Sequence, residues 1–428
     1  MIPPHIVVRP SVHSRYRFVI LGVVWSAYLV VFLSRLCVGP LSPFLKDAFD
    51  LSNAQIGALT SVTAVTYAPT LLVAGWLVDR IGVRRALIVG SLITGVFVGS
   101  VALASSYFTV LVLLGLSGLG CGFIYPGAVK AVMEWFPPVE RATAIGVNQS
   151  AVNISGMLGG AIMPALALAA GWQAGFLVAA GLAFVVCGLA AALYRRDGAG
   201  ATPRPTLVPP EVEQGLPSVT GDEGVDQELV RRGFWAILRS RDILLLGFAA
   251  MFLCMVEFAA LAHLVLYLKV TWAFSAVAAG GLLAVSQAAG GIGKPLSGLV
   301  SDRLLGRRRK APLMALAVLA GLCCAVLAVL PAGRTALLWA ALILLGVGAV
   351  GWGGLFGTLA GEIAGPAEAG AAAGATAAID NIGIFVGPLL FGYIVDRSGT
   401  YAPAWWVMAG AAACAAFLVG LIQERRTA

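Results

Sequence analysis

Long apolar segments alternate with short polar segments along almost the whole chain. Most of the apolar runs reach about 20 residues, the length that an α-helix needs to cross the roughly 30 Å hydrocarbon core of a bilayer. Six runs precede a polar stretch near the middle of the chain, and six follow it. The pattern predicts an all-α polytopic membrane protein with twelve transmembrane helices, numbered here as spans 1 to 12. They are expected near residues 18–42, 55–78, 86–105, 107–133, 143–170, 174–194, 243–268, 274–300, 311–331, 336–363, 371–394 and 402–422.

Composition supports a membrane protein and excludes a soluble domain. Of 428 residues, 60% are hydrophobic and only 11% are charged, with a mean hydropathy of +0.93. Ordinary globular domains carry about 25% charged residues, so too few are present here to cover a water-exposed surface. The seven cysteines lie in apolar runs without the spacing of a metal or redox motif, and no nucleophile or phosphate-loop motif occurs. We therefore expect no metal, no cofactor and no enzymatic activity.

The polar stretch at residues 195–242 divides the chain into two halves. It is rich in proline, glycine and acidic residues, which is typical of a solvated tether, and its end, RRGFWAILRSRD, predicts an interfacial helix. The predicted organisation is a tail at 1–17, a six-helix bundle at 18–194, this linker, a second six-helix bundle at 243–422 and a tail at 423–428.

Basic residues predict the orientation in the membrane. All but four of the loop and tail lysines and arginines fall on the side that carries both termini and the linker, the exceptions being Lys46, Lys269, Arg334 and Arg397. Cytoplasmic loops of membrane proteins carry an excess of Lys and Arg, so both termini and the linker are expected in the cytoplasm, with the spans in the cell membrane. The net charge of +8 therefore reflects topology and does not indicate a nucleic-acid partner.

A polar motif occurs twice, once in each half. The loop after span 2 reads GWLVDRIGVRR and contains Asp79, and the loop after span 8 reads GLVSDRLLGRRR and contains Asp302, 223 residues later. The segments after spans 4 and 10 also repeat, at an offset of 228 residues, the matching positions being Glu134 and Glu362, Pro138 and Pro366, and Glu140 and Glu368. The two repeats together predict two parallel, pseudo-symmetric halves.

The doubled G-x-L-x-D-R-x-G-x-R-R loop and the six-plus-six spans resemble the major facilitator superfamily of secondary transporters, over residues 17–424. The resemblance implies alternating access by two rocking halves, with these loops bracing the halves on the cytoplasmic side in the outward-open state. The residues that it assigns to this gating motif are Gly75, Asp79, Arg80, Gly82, Arg84 and Arg85, with Asp302, Arg303 and Arg307 as the weaker counterpart.

Four charged residues fall inside the spans: Arg35, Glu257, Lys294 and Asp380. A charge at the centre of a membrane helix costs about 2.5 to 3.5 kcal/mol, so each of them needs a partner. The repeat offset of 223 places Arg35 one residue from Glu257, which predicts an ion pair between spans 1 and 7. Depth in the membrane predicts a second pair between Lys294 and Asp380. Polar side chains that can add donors and acceptors to the same cavity are Asn148, Gln149, Asn153, Gln287 and Asn381.

An arginine deep in span 1 favours an anionic substrate group, because guanidinium offers a planar fork of donors and stays charged. The segments FLSRLCVGP and EWFPPVER are similar to the organic-anion and sugar-phosphate permease branch of the superfamily. This chain has Ser34, Leu114 and Cys121 where organic-anion members carry charged residues, so the proton-coupling role passes to Glu257 or Asp380.

The leading hypothesis is a proton-coupled symporter of a small organic anion, a carboxylate or sugar acid, that works as a monomer in the lipid bilayer. One alternative is a proton-coupled antiporter that exports a cationic or amphiphilic drug, with Glu257 and Asp380 as the cation site. A second is an exchanger of phosphate esters or other anions, and a third is a membrane receptor without transport activity.

Overall fold

The structure, a computed structural model, describes residues 15–194, 240–306, 308–364 and 369–423. Within these ranges every regular element is helical, and the helices supply eleven membrane spans, or twelve with the bent helix of span 2. The predicted all-α polytopic architecture is confirmed. The predicted linker and its interfacial helix lie outside the described residues.

The spans of the first half, 1 to 6, are Tyr16–Leu36 with Val38–Phe49, Asn53–Ile81, Val83–Val101, Tyr107–Trp135, Pro138–Ala170 and Trp172–Leu193. The spans of the second half, 7 to 12, are Arg241–Trp272, Ala276–Arg303, Lys310–Val329, Thr335–Val350 with Gly353–Ala364, Ala369–Ser398 and Ala402–Leu421.

Two spans that the sequence predicts as single helices are broken. Span 1 is interrupted at Cys37 and continues to Phe49, and span 10 is interrupted between Val350 and Gly353. In span 1, Pro40 has no N–H to donate to the carbonyl four residues earlier, which ends the first helix. Span 10 breaks in the glycine-rich sequence GVGAVGWGG, where the backbone has the least preference for a helix.

Short connections join neighbouring spans within each half. Gly82 alone separates spans 2 and 3, and Gly171 alone separates spans 5 and 6, both with φ of +83°. This backbone region is unfavourable for residues that carry a Cβ atom, so glycine permits the direct reversal from one helix into the next. Each half therefore folds as an antiparallel bundle with little exposed loop.

The two halves meet mainly along spans 2 with 11, 5 with 8, and 1 with 7. Spans 5 and 8 approach closely at Gly160 and Gly280, where a Cβ atom on Gly160 would lie 2.7 Å from the backbone oxygen of Gly280. We call the end of the bundle that carries the loops of Asp79 and Asp302 the motif end, and the opposite end, which carries Asp396, the far end. The cross-half interface runs from the far end to mid-depth, and the buried charges lie where it stops.

Candidate functional site

The four charges inside the spans form one electrostatic cluster between the halves, with Arg35 buried and the other three half-buried. Asp380 on span 11 has Arg35 on span 1 as its strongest charged neighbour and Glu257 on span 7 as its next. Glu257 in turn has Lys294 on span 8 as its strongest charged neighbour, followed by Arg35. The structure thus brings together all four charges that the sequence places inside the spans.

The two predicted ion pairs are wrong. No nitrogen–oxygen pair among these four described residues lies within 4.0 Å, and the strongest couplings join Arg35 with Asp380 and Lys294 with Glu257. Helix geometry explains the exchange of partners. The repeat maps Arg35 onto Phe258, and the neighbouring residue Glu257 is rotated by about 100° around the helix, which turns it toward Lys294.

Aromatic rings surround Arg35 in place of acids. Its guanidinium carbon lies 4.9 Å from the ring centre of Tyr67, 5.4 Å from that of Phe258 and 6.0 Å from that of Phe32, distances at which a cation is attracted to a ring face. The side chain is 5% exposed, and its Nε and Nη2 atoms have no hydrogen-bond partner. A buried guanidinium with unused donors is able to bind an anionic oxygen at small desolvation cost.

Three tyrosines extend the surroundings of Arg35. Tyr28 on span 1 lies 6.2 Å from Tyr125 on span 4, measured between ring centres, and both Tyr28 and Tyr67 are electrostatic neighbours of Arg35. None of the three hydroxyl groups forms a hydrogen bond with another residue that the structure describes. The three tyrosines carry no signal of a site in the sequence, because an aromatic residue in an apolar run is equally suited to packing or to lipid.

Lys294 connects the two halves at mid-depth. Its Nζ atom donates a hydrogen bond of 3.0 Å to Oδ1 of Asn153 on span 5. Its electrostatic partner Glu257 also neighbours the indole of Trp352, which lies at the break in span 10. Asn153 is one of the polar side chains that the sequence offers for the cavity, whereas Trp352 is a site residue that the sequence prediction did not include.

The predicted amides have different surroundings. Asn381 donates to Oδ1 of Asp380 at 3.2 Å and so belongs to the cluster. Asn148 is buried and its Oδ1 atom is unpartnered, whereas Gln149 is exposed. Neither forms a hydrogen bond with the four charges.

His263 Nε2 forms a hydrogen bond of 2.9 Å to the carbonyl oxygen of Pro388 at the far end, which fits a packing role.

The first motif loop is held within its own half. Asp79 forms an ion pair of 2.7 Å with Lys130 on span 4, Arg84 donates to the carbonyl of Ala191, and Arg80 lies 3.8 Å over the ring of its own neighbour Trp76. In the part of the chain that the structure describes, no hydrogen bond or ion pair joins this loop to the second half.

The second motif loop is also held within its half, by a residue outside the predicted set. Arg309 forms ion pairs with Asp302 at 2.5 Å and with Glu362 at 3.2 Å. Arg303 is exposed, and Arg307 lies outside the described residues. Among the residues that the structure describes, the motif end therefore shows no hydrogen bond or ion pair across the halves.

The Asp79–Lys130 pair is expected to contribute little to stability, because the Asp79 side chain is 72% exposed and exposed ion pairs are worth about 1 kcal/mol or less. Asp79→Asn should leave the melting temperature of the detergent-solubilised protein nearly unchanged, and Lys130→Gln is the matched control. A loss of several degrees in either variant would contradict this local role and indicate contacts that form in another conformation.

The far end, in contrast, is latched across the halves. Asp396 on span 11 accepts hydrogen bonds from the backbone N–H of Asn53 at 2.9 Å, from its Nδ2 at 2.7 Å and from the N–H of Ala54 at 2.8 Å. An exposed ion pair of 3.2 Å joins Lys269 to Asp47. All cross-half hydrogen bonds and ion pairs among the described residues lie at the far end or at mid-depth.

Two pseudo-symmetric helical halves with ionisable residues buried between them, closed at one end and unbraced at the other, define a secondary transporter by architecture. The sequence profile of the Major Facilitator Superfamily matches residues 24–388. The chain belongs to this superfamily, a family of multi-pass membrane transporters and not of enzymes.

Two relatives match over nearly the full chain. The chain is 28% identical to the probable sulfoacetate transporter SauU of Cupriavidus necator over 394 residues, which are 90% of this chain and 89% of the relative. It is 25% identical to the hexuronate transporter of Bacillus subtilis over 431 residues, 95% of this chain and 94% of the relative. A solved structure with the same fold is a bacterial homologue of the human lysosomal transporter Spinster in an inward-facing, unoccupied conformation, with a TM-score of 0.74, 18% identity and coverage of 96% and 95% of the two chains.

Proposed function

We propose that the protein is a proton-coupled symporter of a small organic anion, a carboxylate or sugar acid, and that it works by alternating access. The observation that carries the proposal is Arg35, which is buried at the interface of the halves without an acid in contact and with two unpartnered nitrogens. The hydroxyl groups of Tyr28, Tyr67 and Tyr125 supply further donors for the anion.

The named relatives support an anionic substrate. Sulfoacetate and hexuronates are both small organic acids, and each of the two transporters aligns with nearly the whole of this chain. The chemistry of Arg35 also favours an anion, since its Nε and Nη2 atoms are unpartnered, charged donors. The drug-antiporter hypothesis would instead require a cation to bind at Glu257 and Asp380, where Lys294 and Arg35 already compete for these acids.

The positions of the contacts fit one stage of alternating access. With the motif end on the cytoplasmic side of the cell membrane, as the positive-inside rule predicts, a latched far end and an unbraced motif end correspond to an inward-open state. In the outward-open state the loops of Asp79 and Asp302 would brace the halves, and the bonds to Asp396 would be broken. One chain supplies both halves, so a monomer is sufficient.

Proton coupling is assigned to Glu257 and Asp380, the two acids of the cluster. When the anion binds Arg35, a carboxylate nearby becomes repulsive, and binding a proton removes that repulsion. Proton and anion therefore favour each other's binding, which is the requirement for symport.

Glu257→Gln should keep substrate exchange but lose part of its acceleration by a pH gradient, because glutamine resembles protonated glutamate and cannot release a proton, which leaves Asp380 alone to couple. The measurement is uptake into proteoliposomes with and without an imposed pH gradient, compared with counterflow at equal pH. Glu140→Gln, which removes an acid from the Arg17 ion pair at the motif end, is the matched control. A response of Glu257→Gln to the pH gradient as large as that of the unmodified protein would contradict the assignment of Glu257.

Substrate class is tested by ligand-induced stabilisation of the purified protein. A ligand that binds the folded state raises the melting temperature, by an amount that grows with its concentration over Kd. We expect carboxylates and sugar acids to stabilise the protein and lipophilic cations to have no effect. Stabilisation by cations alone would support the antiporter hypothesis, and stabilisation by phosphate esters alone would support the exchanger.

A further inference from the structure

The site contains two separate cations, one carried by each half. Arg35 belongs to span 1 and has Asp380 as its electrostatic partner, and Lys294 belongs to span 8 and has Glu257. Neither cation has an acidic oxygen within 4.0 Å among the residues that the structure describes. The cluster therefore consists of two loose cation–acid pairs and not of a closed salt-bridge network.

Both cations have unused donors. Within the described ranges Arg35 forms no hydrogen bond, although guanidinium carries five N–H groups, and Lys294 forms one, to the neutral amide oxygen of Asn153. A lysine held by a neutral oxygen can exchange that oxygen for an anionic one and gain a charge-assisted hydrogen bond. Asn153 thus holds Lys294 in position through a hydrogen bond that an anionic oxygen can replace.

We propose that the substrate carries two acidic groups, that Arg35 binds one and Lys294 the other, and that two protons accompany it on Asp380 and Glu257. The proposal rests on the proposed function and specifies its substrate class and stoichiometry. Binding bridges the halves, because the first group contacts span 1 and the second contacts span 8. Each carboxylate of the protein binds one proton on the loading side and releases it on the other side, and no other bond is made or broken.

Charge balance supports one proton for each acidic group. The empty cluster has two positive and two negative side chains, so a dianion alone would leave two uncompensated negative charges in the membrane interior, which is strongly unfavourable. Protons on both acids restore neutrality.

The groups that face Glu257 are Lys294, Trp352, Arg35, Cys254 and Asp380, and those that face Asp380 are Arg35, Glu257, Tyr67, Tyr125, Asn381 and Cys254.

The first test compares ligands with one and two acidic groups on the purified full-length protein. Probes are dicarboxylates of three to six carbons, the monocarboxylates of equal length, and glucuronate, each titrated in a thermal-shift assay. We expect a dicarboxylate to bind the unmodified protein at least about 10-fold more tightly than its one-acid counterpart, the effect of about 1.4 kcal/mol from one additional charged contact.

Variants separate this proposal from the proposed function. Lys294→Gln should remove the tighter binding of the dicarboxylate and leave monocarboxylate binding unchanged. Lys294→Arg should restore part of the dicarboxylate's advantage. Arg35→Gln should abolish binding of dicarboxylates and monocarboxylates alike. Lys310→Gln, at the motif end of span 9, is the control. If glucuronate or a monocarboxylate binds best and Lys294→Gln binds it as well as the unmodified protein does, the two-acid proposal is overturned and the anion site stands. If no anion stabilises the unmodified protein, both are overturned.

A second readout is charge movement in proteoliposomes. Uptake of the best dicarboxylate with two protons is electroneutral and should not respond to a potassium diffusion potential. In Glu257→Gln the same substrate would carry net negative charge, so an inside-positive potential should accelerate its uptake severalfold. Potential-dependent uptake by the unmodified protein would overturn the two-proton stoichiometry.

Discussion

Arg35→Gln is expected to abolish substrate binding and transport without destabilising the protein. Two hydrogen bonds from a guanidinium to an anion contribute about 1.5 to 3 kcal/mol each, so their loss weakens binding by about 100-fold or more. Stability should be maintained or increased, because the variant removes a buried charge that has no hydrogen bond and no acid in contact.

Counterflow in proteoliposomes and melting temperature in detergent together test this prediction. Arg334→Gln, which changes an exposed arginine at the start of span 10, is the matched control and should transport normally. Transport by Arg35→Gln at more than a tenth of the control rate would exclude Arg35 as the anion-binding residue. A large fall in melting temperature would instead assign it a structural role.

Asp396→Ala is expected to open the far end. The substitution removes three hydrogen bonds between the halves, two to backbone N–H groups and one to a side-chain amide. At about 1 kcal/mol each, their loss shifts the equilibrium between the closed and open far end by about 100-fold. The open form should thus become a major population.

Spin labels at Leu103 and Arg334, exposed positions at the far ends of the two halves, report this opening as an increased inter-label distance. Asp47→Ala removes the exposed ion pair with Lys269 and should shift the distribution much less, since that pair is worth about 1 kcal/mol or less. An unchanged distance distribution in Asp396→Ala would show that packing of spans 2 and 11 alone keeps the far end closed.

Much of the fold was predictable because the bilayer imposes a length and an apolar composition on every span. The repeat offset predicted more than the topology. It maps Arg35 onto Phe258, and the structure places that ring 5.4 Å from the guanidinium. The prediction of an ion pair with Glu257 was wrong because one residue along a helix changes the side-chain direction by about 100°.

The remaining parts of the site depend on contacts between distant segments. Asn153 and Lys294 are 141 residues apart, and Asn53 and Asp396 are 343 apart, so neither pairing has a local signature. In the sequence, Asp396 lies just beyond the predicted end of span 11, where a carboxylate is ordinary. Only the docking of span 11 against the start of span 2 reveals that it caps a helix of the other half.

Of the four backbone N–H groups at the start of span 2, two find acceptors within the same turn and two find them in the other half. The Ser52 N–H donates to Gln55 Oε1 and the Gln55 N–H donates to Ser52 Oγ. The N–H groups of Asn53 and Ala54 donate to Asp396. When the halves separate, the local capping box remains and only the N–H groups of Asn53 and Ala54 pass to water. Span 2 can therefore stay helical to its first turn throughout the cycle, and the far end can close again by rigid docking without refolding.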